Sequence, residues 1–158
     1  MRASGVVDGA IAGAVGSAAL NVVGYLDIAV RARPASSTPE ESIERLAGLA
    51  HVDLGPEDRA ANRRTGLGAV LGYALGIGTG AAFGALASRR GLPPAVATAL
   101  LGGGVMATTI GSLATLGISD PRTWSRSDWL ADIVPHLAYG MAAAATFNRL
   151  RPPSARCG

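Results

Sequence analysis

Asp132, His136 and Tyr139 stand at i, i+4 and i+7, the spacing that stacks three side chains on one face of a helix. They sit in an otherwise apolar run, where a charge costs about 2.5–3.5 kcal/mol on membrane-insertion scales. A second acid, Asp27, lies one turn inside Arg31 at the end of another apolar run. If both runs cross a bilayer and meet at these ends, Asp27 and Asp132 share a depth. Asn21, Tyr25, His136 and Tyr139 then come one to two turns deeper, joined by Tyr73, Ser112 and Thr115 from neighbouring runs. Pro135 has no N–H to give to the carbonyl of Ala131, which leaves that acceptor for a partner or water. Such a cluster could hold a proton, an ion or a small polar ligand, with Asp27, Asp132 and His136 as its titrating groups. The same residues also admit a plainer reading. Both acids then reach the headgroups, and His136 bonds Tyr25 or Asp27 to fasten two helices.

Other chemistries find little support. Asp132 and His136 are the one pair at helical ligand spacing, and Asp27 or a second subunit would have to complete a metal site, so neither metal nor cofactor is expected. His51 falls in a polar loop, which excludes an intramembrane bis-His haem within one chain. There is no Gly-x-Ser-x-Gly, His-Glu-x-x-His or phosphate-binding loop, and nothing sets a nucleophile beside the acids, so no enzyme is expected. Gly76-Ile77-Gly78 followed by Ala81 imitates a dinucleotide loop but lies within an apolar run with no strand before it. The single cysteine, Cys157, precludes an internal disulfide.

Composition says where these residues sit. The 158-residue chain is 49% hydrophobic and only 16% charged, against about 25% charged in soluble domains, and its mean hydropathy is +0.31. All its basic residues are Arg, clustered at the ends of apolar runs. They suit interfacial anchoring, and no aromatic-interleaved basic patch supports nucleic-acid binding.

Glycine organises the runs. Gly68, Gly72, Gly76, Gly80 and Gly84 repeat every four residues and draw one smooth stripe along a helix. In water each would cost about 1 kcal/mol relative to Ala; in lipid, where helix satisfies the backbone, small residues let helices approach closely. The expected fold is all-α: four antiparallel transmembrane helices over residues 5–30, 66–88, 94–118 and 128–149, packed through Gly and Ala faces in one domain over residues 1–150. The first run is too long for a signal-peptide core, contains Asp8 beside its start and lacks a cleavage site.

Between the first two spans, residues 39–50 form a short amphipathic helix, with Thr38 as N-cap and Glu41 closing a capping box. Gly55-Pro56 breaks it. Ser127 or Asp128 caps the last span, with Trp124 and Trp129 as interface anchors. Residues 151–158 form a flexible tail. Eight arginines on the side of the long loop against six on the other give a weak bias towards a cytoplasmic loop.

Three segments, Asn21-Val22-Val23-Gly24-Tyr25-Leu26-Asp27, residues 33–40, and residues 128–140 from Asp128-Trp129 to Pro135-His136-Leu137-Ala138-Tyr139-Gly140, give nearly the whole chain a resemblance to uncharacterised small integral membrane proteins of actinobacteria. The resemblance implies a multi-pass protein of the bacterial inner membrane and supplies no activity or ligand. The expected function is a non-enzymatic scaffold or accessory subunit, in contact with the lipid bilayer and with a membrane-protein partner or a second copy. The alternative is a small proton-linked carrier or channel using Asp27, Asp132 and His136.

Overall fold

The structure, a computed structural model, describes residues 3–87 and 91–151. These form five α-helices and no strand: α1 (Ala3–Arg31), α2 (Thr38–Leu49), α3 (Glu57–Ala87), α4 (Pro94–Thr115) and α5 (Arg126–Leu150), with a 3₁₀ turn at Pro121–Thr123 before α5. Three of them, α1, α3 and α4, are long and apolar enough to cross a membrane. Helix α5 has 25 residues, ample for about 30 Å of hydrocarbon, but Asp132, Pro135 and His136 make it less apolar. Arg89, Arg90 and the tail beyond Arg151 lie outside the described residues.

The bundle is assembled inside out relative to a soluble protein. Its interior is small: Ala12, Ala97, Ala143 and Ala144 are buried with Leu101, Val105, Tyr139 and Phe147. Its large aliphatics face outward, with Val7, Ile11, Val15, Val22, Leu26 and Val30 spaced along the exposed side of α1. A surface of this kind suits lipid, because acyl chains are as apolar as leucine and close backbone contact has to come from small residues.

Helix α1 is the hub, packed along α3 on one side and α5 on the other, while α4 rests mainly on α5 and touches α3 more narrowly. The α1–α3 seam is glycine against glycine. A Cβ on Gly80 would overlap the Gly9 carbonyl oxygen and stand 2.7 Å from the Gly13 Cα; one on Gly84 would overlap the Gly5 carbonyl and stand 2.9 Å from the Gly9 Cα. Partners descend along α3 as they ascend along α1, so the two helices are antiparallel.

The expected stripe is divided among three neighbours. Gly80 and Gly84 meet α1; Gly76 meets Ser17 and the Tyr139 ring; Gly68 lies against Pro39 of α2, and nothing comes within 4 Å of a Cβ on Gly72. A second seam joins α4 to α5, where a Cβ on Gly140 would lie 2.5 Å from the Thr98 carbonyl and 3.0 Å from the Gly102 Cα.

The polar loop folds back onto α3. Ser42 of α2 and Ala60 of α3 are both buried, and Pro39 caps Gly68, so α2 packs on the bundle. Two caps shift from their expected positions. The N-cap of α2 is Ser37, not Thr38, and the expected capping box does not form: no side chain caps the first turn, and Ser37 Oγ instead donates to Glu41 Oε1 at 2.5 Å. The cap of α5 is Ser125, not Ser127 or Asp128: its hydroxyl accepts from the Asp128 N–H, and Asp128 Oδ2 accepts from the Ser125 N–H at 2.9 Å, completing a capping box.

Candidate functional site

The α1 side of the site is set by a helix end. Asp27 stands one turn before Arg31, and once α1 stops, positive φ at Ala32 turns the chain so that Arg33 reaches back. Arg33 Nε donates to Asp27 Oδ2 at 2.6 Å, and Arg31 Nη1 lies 3.5 Å from Oδ1. Two guanidinium groups therefore share one carboxylate. The return of Arg33 depends on the backbone turn at Ala32, for which the sequence carries no glycine signal.

The α5 side is a different unit. His136 is 7% exposed, and its Nδ1 lies 2.7 Å from the carbonyl oxygen of Asp132. A carbonyl can only accept, so Nδ1 carries the proton and, in the neutral ring, Nε2 is the bare acceptor. The Asp132 carboxylate stands 3.5 Å from the same Nδ1, with its Oδ2 buried and without a hydrogen-bond partner. His136 is thus held by its own helix, and the expected bond to Tyr25 or Asp27 does not form.

Tyr139 is the central polar contact of the bundle. Fully buried, it lies against Gly16 of α1, where a Cβ would come within 2.7 Å of its ring, and its hydroxyl donates to the Gly76 carbonyl of α3 at 2.5 Å. Three helices meet at this side chain.

The remaining candidates disperse. Tyr25 is 68% exposed and Tyr73 41%, both on outward faces, while Asn21 is half-buried. Ser112 and Thr115 spend their hydroxyls on their own helix, Ser112 donating to the Thr108 carbonyl at 2.7 Å and Thr115 to that of Gly111 at 2.9 Å. Among the described residues, no three His, Cys, Asp or Glu side chains gather as a metal site would require. Asp27 instead lines a shallow cleft of about 130 Å³ between α1 and α5, with Val23, Arg31, Leu130, Ala131, Val134 and Pro135.

No protein-family model, curated protein or solved structure matches this chain.

At the opposite end of the bundle lies a contact with no short-range signature. Asp8 Oδ2 is 3.7 Å from Arg151 Nη1, and the Arg151 guanidinium sits 5.9 Å above the Phe147 ring, which meets Phe83 edge to face at 5.2 Å. This clasp joins the start of α1 to the end of α5. Asp8 thus pairs across helices.

Proposed function

We propose that the protein is a non-enzymatic scaffold or accessory subunit of the bacterial inner membrane, crossing it four times through α1, α3, α4 and α5. The localisation follows the three long apolar helices and the resemblance to actinobacterial membrane proteins. The fourth crossing rests on the length of α5 and its antiparallel packing against α1 and α4.

One observation carries the scaffold reading: apart from Asp132 and His136, the groups a carrier would work with are spent inside the fold or turned outward. Asp27 is neutralised by Arg31 and Arg33, Tyr139 is fixed on Gly76, and Tyr25 and Tyr73 face away from the bundle. The α1–α3 seam closes at backbone contact and leaves no polar path between these helices. A second reading, a proton-linked carrier, draws on the unpartnered Asp132 Oδ2 beside His136.

Purification in a mild detergent, followed by reconstitution, separates the two. A scaffold brings down a stoichiometric membrane-protein partner, and its vesicles conduct protons no faster than protein-free ones. Proton flux that disappears in His136→Ala would instead make the protein a carrier.

A further inference from the structure

Four acids lie in α1 and α5, and three of them are answered. Among the described residues, Asp8 faces Arg151, Asp27 faces Arg31 and Arg33, and Asp128 closes the capping box with Ser125. Asp132 has no guanidinium within 4 Å. Its one charged neighbour would be His136, whose Nδ1 proton goes to the Asp132 carbonyl at 2.7 Å while the carboxylate stands off at 3.5 Å. Asp132 Oδ2 is buried without a partner. In a membrane-spanning helix an uncompensated charge costs about 2.5–3.5 kcal/mol, so a negative charge is left over here that the scaffold reading does not use.

The helices in front of Asp132 stand apart. Helices α3 and α4 touch where a Cβ on Gly104 would lie 3.5 Å from Thr79 Cγ2. They run in opposite directions, so two turns nearer the long loop the same two faces carry Gly72 of α3 and Gly111 of α4. Nothing comes within 4 Å of a Cβ on either. Helix α5 closes this gap from behind. Tyr139 meets α3 at Gly76 and Gly140 meets α4 at Gly102, so His136 and Asp132, one and two turns nearer the loop, fall on the sector of α5 between α3 and α4. Equal steps along the antiparallel α4 and α5, counted from the contact of Gly102 with His136 and Gly140, bring Thr108 level with Asp132.

The polar groups brought to this level can only accept. The hydroxyls of Thr108, Ser112 and Thr115 donate to the carbonyls of Gly104, Thr108 and Gly111 at 2.8, 2.7 and 2.9 Å, which leaves only their lone pairs to offer. The neutral His136 ring offers a bare Nε2, and Asp132 its carboxylate. Acceptors without donors, around one negative charge, suit a cation that brings its own N–H groups. A metal ion is served poorly: among the described residues no three His, Cys, Asp or Glu side chains gather, and hard cations take oxygen ligands in preference to imidazole nitrogen. We propose that Asp132, with His136 Nε2 and the Thr108 hydroxyl, binds one small primary ammonium ion between α3 and α4. Three N–H donors meet three acceptors, and the positive charge meets the carboxylate. Thr108 and Thr115 are exposed, so the ligand enters through the gap between the two helices. The charge argument rests on α5 crossing the bilayer, which the sidedness of an Asn148→Cys label tests on its own.

Thermal unfolding of the intact protein in detergent, with methylammonium replacing tetramethylammonium at constant total chloride, tests the site. The two ions carry the same charge, but tetramethylammonium has no N–H to donate. Wild type should show a saturable rise in unfolding temperature as methylammonium increases, because a ligand that binds only the folded state stabilises it. Asp132→Asn, which keeps the shape and removes the charge, should need at least about tenfold more methylammonium for half of the effect. Thr108→Val, at an exposed position that tolerates the change, should need about threefold more. No difference between the two ions in wild type, an equal rise when sodium replaces tetramethylammonium, or an undiminished response in both variants overturns the site. A response lost in Asp132→Asn and weakened in Thr108→Val, in a protein whose vesicles conduct no protons, supports the site and leaves the scaffold reading in place.

Discussion

The hydroxyl of Tyr139 donates to the carbonyl of Gly76 at 2.5 Å, a bond between residues 63 apart in sequence that fixes α5 to α3 with Gly16 of α1 beneath the ring. The absence of a side chain at Gly76 and Gly16 is what lets the ring reach so far into the bundle. One polar contact thus sets the register of three helices.

Removing only the hydroxyl should therefore cost little and removing the ring a great deal. Tyr139→Phe should lose about 1 kcal/mol, in the range of single hydrogen bonds, because the Gly76 carbonyl keeps its helical partner. Tyr139→Ala should lose about 3–5 kcal/mol through the cavity it opens. Unfolding from detergent micelles, followed by circular dichroism, measures both. Equal losses for the two variants would mean that the ring is not packed as described.

The cap of α5 gives a separate prediction. Ser125→Ala removes the acceptor for the Asp128 N–H and half of the capping box, and should cost about 1 kcal/mol. Ser127→Ala, whose hydroxyl meets only that of Ser125, should change stability by much less. The same unfolding assay checks the pair. A larger loss at Ser127 would move the start of α5 to the later position that its sequence suggests.

Much of this arrangement is written in local patterns. Five helices follow from apolar runs punctuated by Pro, Gly and Arg, and the four-residue glycine repeat marks the face on which α3 meets α1. What is not legible is which neighbour each glycine meets. Gly68, Gly72 and Gly80 are equivalent in sequence, yet one faces Pro39, one faces open space and one faces Gly9, because the stripe drifts around the helix as it rises and passes from one neighbour to the next. The expected polar cluster divides for a similar reason. Matching depth says nothing about rotation about a helix axis, and it is rotation that turns Tyr25 and Tyr73 outward and leaves His136 on the Asp132 carbonyl. Long-range pairs such as Asp8 with Arg151 have no short-range signature at all.

Whether α5 crosses the bilayer can be settled by labelling. In a Cys157→Ser background, single cysteines at the exposed positions Ser36, Ser127 and Asn148 are offered a membrane-impermeant maleimide in right-side-out and inverted vesicles. With four crossings, Ser36→Cys and Ser127→Cys label from one side and Asn148→Cys from the other. Labelling of all three from the same side would reduce the crossings to three and lay α5 along the bundle without spanning the bilayer.

Two alanine substitutions on one helix face test the backbone contact between α1 and α3 on which the whole arrangement depends. Gly80→Ala drives a methyl group into the Gly9 carbonyl and the Gly13 Cα, whereas Gly72→Ala points one into open space. Measured side by side by unfolding in the same detergent, Gly80→Ala should destabilise by about 1–3 kcal/mol through overpacking. Gly72→Ala should be neutral, or more stable by up to about 1 kcal/mol from helix propensity. Equal effects at the two sites, or a greater loss at Gly72, would contradict the glycine-to-glycine seam.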